Sequence, residues 1–199
     1  MRVFQCAVMG SGGVGKSAIT VRFINGSYLE WYDPTNRKQF NVDNQPCLLE
    51  ILDTAGIDQY LTLNDMFIRE SEGFILVFSL CQRDSFEEVL RTYDAIQRIK
   101  LSEGGRIIPI VIVGNKSDLI DEREVDTTEG EKLSLNWNCS YYETSARTSI
   151  NINSVFEDIV RQLRKNELSK RQEKNKDYLN NNYNISRRKR IKTKKCVIL

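Results

Sequence analysis

The chain has 199 residues and not one of them is histidine. That single absence excludes every His-dependent catalytic triad and every His-ligated metal centre. No run of 18 or more apolar residues is present, so no membrane-spanning helix is expected. The opening MRVFQCAVMGSGG has only a short apolar stretch that meets a Gly-rich loop at once. It lacks the cleavable pattern of a secretory signal, so a cytosolic protein is expected. Five cysteines occur without a CxxC pair. Cys6, Cys47, Cys81 and Cys139 are scattered along the chain and are expected to be reduced. There is no internal repeat.

What is present is a normal globular balance, 40% apolar and 28% charged. The length allows one domain plus a tail. The net charge of +2 conceals a division. Residues 165–199 carry 12 Lys and Arg against 3 Asp and Glu, whereas residues 1–164 carry 17 against 24. An acidic body with a basic tail implies two segments with different tasks. The expected boundary puts a domain at 1–168 and a polar, Asn-rich, basic tail at 169–199, with too little apolar surface to fold alone.

Along the body, apolar strands alternate with helical patterns. VFQCAVMG, GFILVFSL and IIPIVIVG read as strands buried on both faces. KQFNV and CLLEILD flank Asp43-Asn44 and read as a hairpin. GKSAITVRFI has helical spacing with Ile19 and Phe23 on one face. SFEEVLRTYDAIQRIK aligns Val89, Tyr93, Ile96 and the stem of Lys100; TTEGEKLSLNWN reads as a helix with a Thr start. SYYET is a short strand, and NINSVFEDIVRQLRKNE an amphipathic helix burying Ile152, Val155, Phe156, Ile159, Val160 and Leu163. The alternation predicts a doubly wound α/β fold with a mostly parallel sheet and flanking helices, in which ligands sit at the carboxyl ends of the strands.

The motifs lie at such ends. Gly10-Ser11-Gly12-Gly13-Val14-Gly15-Lys16-Ser17 matches G-x-x-x-x-G-K-[ST] between a strand and a helix, the P-loop context. Its backbone N–H groups are expected to curl around phosphates, with the helix N-terminus adding partial positive charge. Lys16 would reach the β and γ phosphates and the Ser17 hydroxyl would bind Mg²⁺; Ala18, next in line, is counted among the nucleotide contacts. Asn115-Lys116-Ser117-Asp118 follows IVIVG. A carboxylate at Asp118 can accept N1–H and the 2-amino group of guanine, and would be left unsatisfied by adenine. The Lys116 stem can lie on the base. Ser145, Ala146 and Arg147 end the next strand, where the Ala146 N–H can meet guanine O6. Asp53-Thr54-Ala55-Gly56 places Asp53 to hold a Mg²⁺-bound water and Gly56 to offer its N–H to the γ phosphate. Thr35, in Tyr32-Asp33-Pro34-Thr35, can complete the Mg²⁺ shell and bond the same phosphate. GTP or GDP is the expected nucleotide, with Lys16, Thr35 and Gly56 the groups expected to act on the reacting phosphate.

GSGGVGKS, YDPT, DTAG, NKSD and ETSA, in this order over residues 3 to about 165, resemble the Ras family of small GTPases. The tail and LEILDTAGI look most like its Rap branch, including the fungal bud-site-selection GTPases. The resemblance implies a six-stranded sheet, a GDP/GTP cycle, exchange factors, activating proteins and effectors. It also puts Tyr28 against the base and Tyr32 over the phosphates. Arg147 stands where the family usually has lysine, a change expected to matter little because the base contact there is made by backbone.

Two positions depart from the family. Ile57 follows DTAG, where Ras has a glutamine that orients the attacking water. Isoleucine cannot handle a water, so slow intrinsic hydrolysis is expected, with help from an activating protein as in the Rap branch; Ile57 can equally serve to pack on its neighbours. The second departure follows Thr35. The family normally continues Ile-Glu-Asp-Ser-Tyr before Arg-Lys-Gln; here Asn36 leads directly to Arg37-Lys38-Gln39-Phe40. Four residues are missing, roughly 13 Å of strand. The even number keeps Phe40 and Val42 on their face. Either Thr35 is pulled from Mg²⁺ or the strand loses its first pairs and frays. Arg37 and Lys38 replace an acidic edge and are expected to repel basic effectors. A mis-joined exon is the other reading of the gap.

The chain ends Cys196-Val197-Ile198-Leu199, a C-a-a-X signal whose Leu favours geranylgeranyl. The second signal that stable anchoring needs is the block Arg187, Arg188, Lys189, Arg190, Lys192, Lys194 and Lys195. A lipid-anchored switch on the cytoplasmic face of the plasma membrane is expected, and a nucleic-acid role for the tail is the weaker alternative. A nucleotide-binding scaffold that does not cycle is the rival function. A P-loop kinase would leave NKSD, DTAG and CVIL unexplained.

Overall fold

A computed structural model describes residues 2–26, 36–53, 61–104 and 107–172. Six strands form one sheet: β1 (Val3–Met9), β2 (Arg37–Val42), β3 (Gln45–Asp53), β4 (Gly73–Ser79), β5 (Ile110–Asn115) and β6 (Ser140–Thr144). Their order is β2-β3-β1-β4-β5-β6. All neighbours run parallel except β2, which pairs antiparallel with β3. The predicted α/β class and mostly parallel sheet are both present. The chain divides by its contacts into Met1–Leu163 and Arg164–Leu199.

The apolar runs become the central strands because both faces of the sheet are covered. β4 and β5 are buried at every residue. Alternate residues of β4 point to opposite faces. Ile75 and Val77 join a core with Ile19 and Phe23 of α1 (Lys16–Asn25) and with Val155, Phe156, Ile159 and Val160 of the helix at 152–172, here α5. Phe74, Leu76 and Phe78 join the core on the other face. Ile68 of α2 (Leu61–Glu70), Phe86, Val89, Ile96 and Ile99 of α3 (Arg83–Ser102), and Leu133 and Trp137 of α4 (Thr127–Trp137) complete it. Tyr93 and Trp137 stack at 3.6 Å between centroids, joining α3 to α4.

Helix α4 starts at Thr127, as expected, and its cap is Asp126. Its side chain accepts from Thr128 N–H, and Glu129 returns a bond to the cap backbone, a full capping box. The α2 helix was not foreseen. Of the two outcomes expected of the gap after Thr35, fraying of β2 is absent, since Arg37 pairs with Glu50 and Ile51 N–H donates to the Asn36 carbonyl at 2.9 Å; the other concerns Thr35, outside the described residues.

The hairpin turns on Asp43 and Asn44, both left-handed at φ 51° and 60°. That is the backbone a two-residue hairpin requires, and Asp and Asn adopt it readily. Burial alternates along β2, with Lys38, Phe40 and Val42 inward and Arg37, Gln39 and Asn41 outward. The expected exposed Arg37-Lys38 pair is therefore split between two faces. Arg37 is engaged by Glu50, at 2.6 and 3.0 Å. Lys38 turns under the sheet edge, where its ammonium donates to the Phe23 carbonyl and sits 4.3 Å from the Phe23 ring centre. Glu50 offsets the charge of Arg37, whereas Lys38 has a carbonyl and a ring as its partners and turns to the opposite face from Arg37.

Candidate functional site

From β1 the chain goes first to β2 and β3 on one side and then to β4 on the other. The point of reversal lies at the carboxyl end of β1, where an open α/β sheet leaves a crevice for ligands. Residues Gly10–Lys16 fill that position. Gly10 has φ +143°, and a Cβ on it would stand 2.0 Å from the Val77 carbonyl oxygen. Gly15 has φ +97°, and its Cβ would meet the Asn115 amide nitrogen at 2.3 Å. Both positions thus demand glycine, for backbone angle and for space.

Lys16 opens α1 and is 4% exposed. Its ammonium donates to the carbonyls of Gly10 at 2.6 Å and Ser11 at 2.7 Å. The charge is strapped across the inside of the loop, where phosphate oxygens would meet it. The N-cap of α1 is Gly15, with no side-chain cap bond and no acidic residue in the first turn. The contrast with the capping box of α4 is instructive. One helix caps its first turn with side chains; the other carries no side-chain cap, and its dipole favours an anion. Ser17 is the second residue of the same helix.

Asp53 is the last residue of β3, in register with Val8 of β1. Ser17 and Asp53 supply a hydroxyl and a carboxylate, hard oxygen donors that suit Mg²⁺ held jointly with phosphates. Among the described residues, no group of three or more His, Cys, Asp or Glu could hold a metal. A magnesium site of this shared kind needs no such cluster.

The base side is assembled from the ends of β5 and β6, paired through Asn115 and Thr144. Asn115 is 2% exposed. Its amide donates to the Val14 carbonyl at 2.8 Å and its oxygen accepts from the Thr144 hydroxyl at 3.1 Å. One side chain therefore ties the phosphate loop to both strands. Lys116 follows in a left-handed conformation, φ 68°, and Ser117 N–H donates to the Thr144 carbonyl at 3.0 Å. The Ser145 hydroxyl donates to an Asp118 carboxylate oxygen at 2.6 Å and accepts from Thr148 N–H at 3.0 Å. Asp118 is thereby held in orientation. Ala146 is buried and Arg147 exposed.

The structure thus brings together Gly10, Ser11, Gly12, Gly13, Val14, Gly15, Lys16, Ser17 and Ala18 in one loop-to-helix turn. It links them through Asn115 to Lys116, Asp118, Ser145, Ala146 and Arg147. Tyr28, Tyr32, Thr35, Gly56, Ile57 and Cys196 lie outside the described residues. Sequence reasoning missed Thr144 and the backbone carbonyl of Val14. The Asn115–Val14 bond spans 101 positions, and nothing local to either residue announces the other.

A family model described as the Ras family matches residues 5–165. That span runs from β1 to α5 and contains every described element of the site. The chain belongs to the Ras family and is a small GTPase, a protein that binds GTP and GDP and hydrolyses GTP.

Proposed function

We propose that this GTPase is a Rap-like, membrane-anchored signalling switch with slow intrinsic hydrolysis. The observation that carries the nucleotide part is the joint built on Asn115, which couples a lysine-strapped phosphate loop to an oriented Asp118. In this reading Lys16 and the N–H groups of residues 13–18 bind the β and γ phosphates, and Asp118 and Ala146 read guanine. Ser17, Asp53 and Thr35 would hold Mg²⁺ together with the phosphates, their oxygens being the hard donors it takes. Mg²⁺ supplies charge neutralisation at the γ phosphate. Lys16 adds a fixed positive charge in a site that excludes much of the solvent, and Gly56 adds an N–H donor. Ile57 leaves the attacking water without a side-chain partner, which makes an activating protein necessary for rapid turnover. An exchange factor resets the switch. The Cys196 lipid and the basic block 187–195 place it on an anionic leaflet at the plasma membrane.

The gap after Thr35 favours a second reading, a guanine-nucleotide-binding scaffold that stays in one state and does not engage ordinary Ras or Rap effectors. One preparation separates the two. Single-turnover GTP hydrolysis is measured with and without Ile57→Gln, beside affinities for GDP and a GTP analogue. The switch reading expects slow hydrolysis that Ile57→Gln accelerates. Absence of turnover in both proteins would leave the scaffold. Transcript sequencing across codons 35–37 tests whether the gap is genuine.

A further inference from the structure

Arg22 and Ser149 belong to none of the nucleotide motifs. Arg22 lies in the last turn of α1, where its carbonyl accepts from Gly26 N–H at 3.0 Å. Its guanidinium Nε donates to the Ser149 hydroxyl, 127 positions away. Ser149 stands in the loop that follows Ser145, Ala146 and Arg147. Two residues of that loop are held left-handed without being glycine: Ser149 at φ 65° and Asn151 at φ 56°. Asn adopts that backbone readily, but for Ser it is uncommon and is kept by surrounding contacts.

The contacts that hold it form a continuous path. The Asn151 amide donates to the Glu143 carbonyl at 2.8 Å. Ser145 N–H donates to the Ile150 carbonyl at 3.3 Å, closing the loop on itself beside Ser149. The Ser145 hydroxyl then donates to Asp118. From Arg22 the path runs to Ser149, to its neighbour Ile150, to Ser145 and to the Asp118 carboxylate. The first link is exposed, so it contributes little to global stability. Its effect is local. It anchors a strained loop to a helix whose other end forms the phosphate cradle.

We propose that Arg22 is a positioning residue for guanine recognition. By holding Ser149 it keeps the 145–151 loop closed, and through Ser145 it keeps Asp118 aimed at the base. The inference rests on the reading that Asp118 accepts the guanine 2-amino group. Inosine diphosphate lacks that group and reports the contact directly.

The experiment measures dissociation rates of GDP and inosine diphosphate, with melting temperature. The proteins are the unmodified chain, Arg22→Ala, Arg22→Lys, Ser149→Ala and the Arg22→Ala/Ser149→Ala double variant. The unmodified protein should release GDP more slowly than inosine diphosphate. Arg22→Ala should speed GDP release about fivefold, the equivalent of one ordinary hydrogen bond, and narrow the gap between the nucleotides. Ser149→Ala should match it, the double variant should be no faster than either, and Arg22→Lys should restore much of the retention. An unchanged gap overturns the inference, whether release is unaltered or both nucleotides leave faster together with a lowered melting temperature. Additive effects in the double variant overturn it too. If the unmodified protein fails to discriminate between the two nucleotides, the base-site reading falls with it. If it discriminates and the variants do so equally, only this inference falls.

Discussion

Gly130 lies inside α4, where glycine costs about 1 kcal/mol relative to alanine. The reason for tolerating it is the Tyr141 ring. A Cβ at Gly130 would stand 2.3–2.7 Å from three ring carbons. The ring has little freedom to retreat. It is parallel to Phe78, and its hydroxyl donates to Glu143 at 3.0 Å. Burial and the neighbouring Glu143 carboxylate raise the Tyr141 pKa well above the ordinary phenol range, so the hydroxyl stays protonated as a donor. Glu143 in turn is held below the ordinary carboxylate range, chiefly by its bonds from Arg123 at 2.7 and 2.9 Å. Gly130→Ala therefore sets a small gain in helix propensity against overpacking. Overpacking should win, lowering stability by about 1–3 kcal/mol. Urea denaturation measures it, and a raised midpoint would show that the ring yields freely.

At the scale of elements, the notable joint is that between β2 and α1. The inward row Lys38, Phe40 and Val42 is apolar except for one ammonium. Burial lowers the pKa of Lys38, a sign that the charge is partly removed from water. What holds it there is the C-terminal turn of α1. The Phe23 carbonyl accepts from it, the negative end of the helix dipole favours it, and the Phe23 ring lies beneath it. Phe23 is itself locked edge-on to Phe40 at 5.1 Å and stacked on Phe156 at 3.9 Å. Lys38→Met keeps the stem and deletes the donor. Hydrogen exchange across residues 36–42 and the last turn of α1 should quicken by roughly tenfold, the loss of about one hydrogen bond to a charged group. Arg37→Ala, which breaks an exposed ion pair with Glu50, should change exchange far less. Equal effects from both would mean that Lys38 serves only as surface charge.

At the scale of the molecule, an acidic body is joined to a basic tail whose last four residues are Cys196-Val197-Ile198-Leu199. No helix of the described residues is long and apolar enough to cross a membrane. The proposed attachment is lipid plus charge, neither sufficient alone: one chain binds marginally, and each basic residue near an anionic leaflet adds about 1 kcal/mol. The full chain carrying a fluorescent protein at its N-terminus should label the plasma membrane, and the Cys196→Ser variant should disperse. A Cys196→Ser variant that stays at the membrane would refute lipid anchoring.

The sequence by itself determined the local elements and the chemistry of the loops. A strand-Gly-rich-helix junction, an Asp-Asn hairpin turn and apolar runs of strand length each depend on backbone angles and periodicities contained within a few residues. That is why β1, the phosphate loop, the β2–β3 hairpin and the alternating core faces were legible. Helix α2 was not, because Ile68 is the one fully buried residue among its described side chains, too sparse a pattern to read. The tertiary structure alone decided the long-range joints: Asn115 to Val14, Ser145 to Asp118, Arg22 to Ser149, and Lys38 beneath the sheet edge rather than on it. Periodicity assigns a side chain to a face. Which carbonyl, ring or carboxylate waits on that face depends on how the sheet brings distant strand ends together.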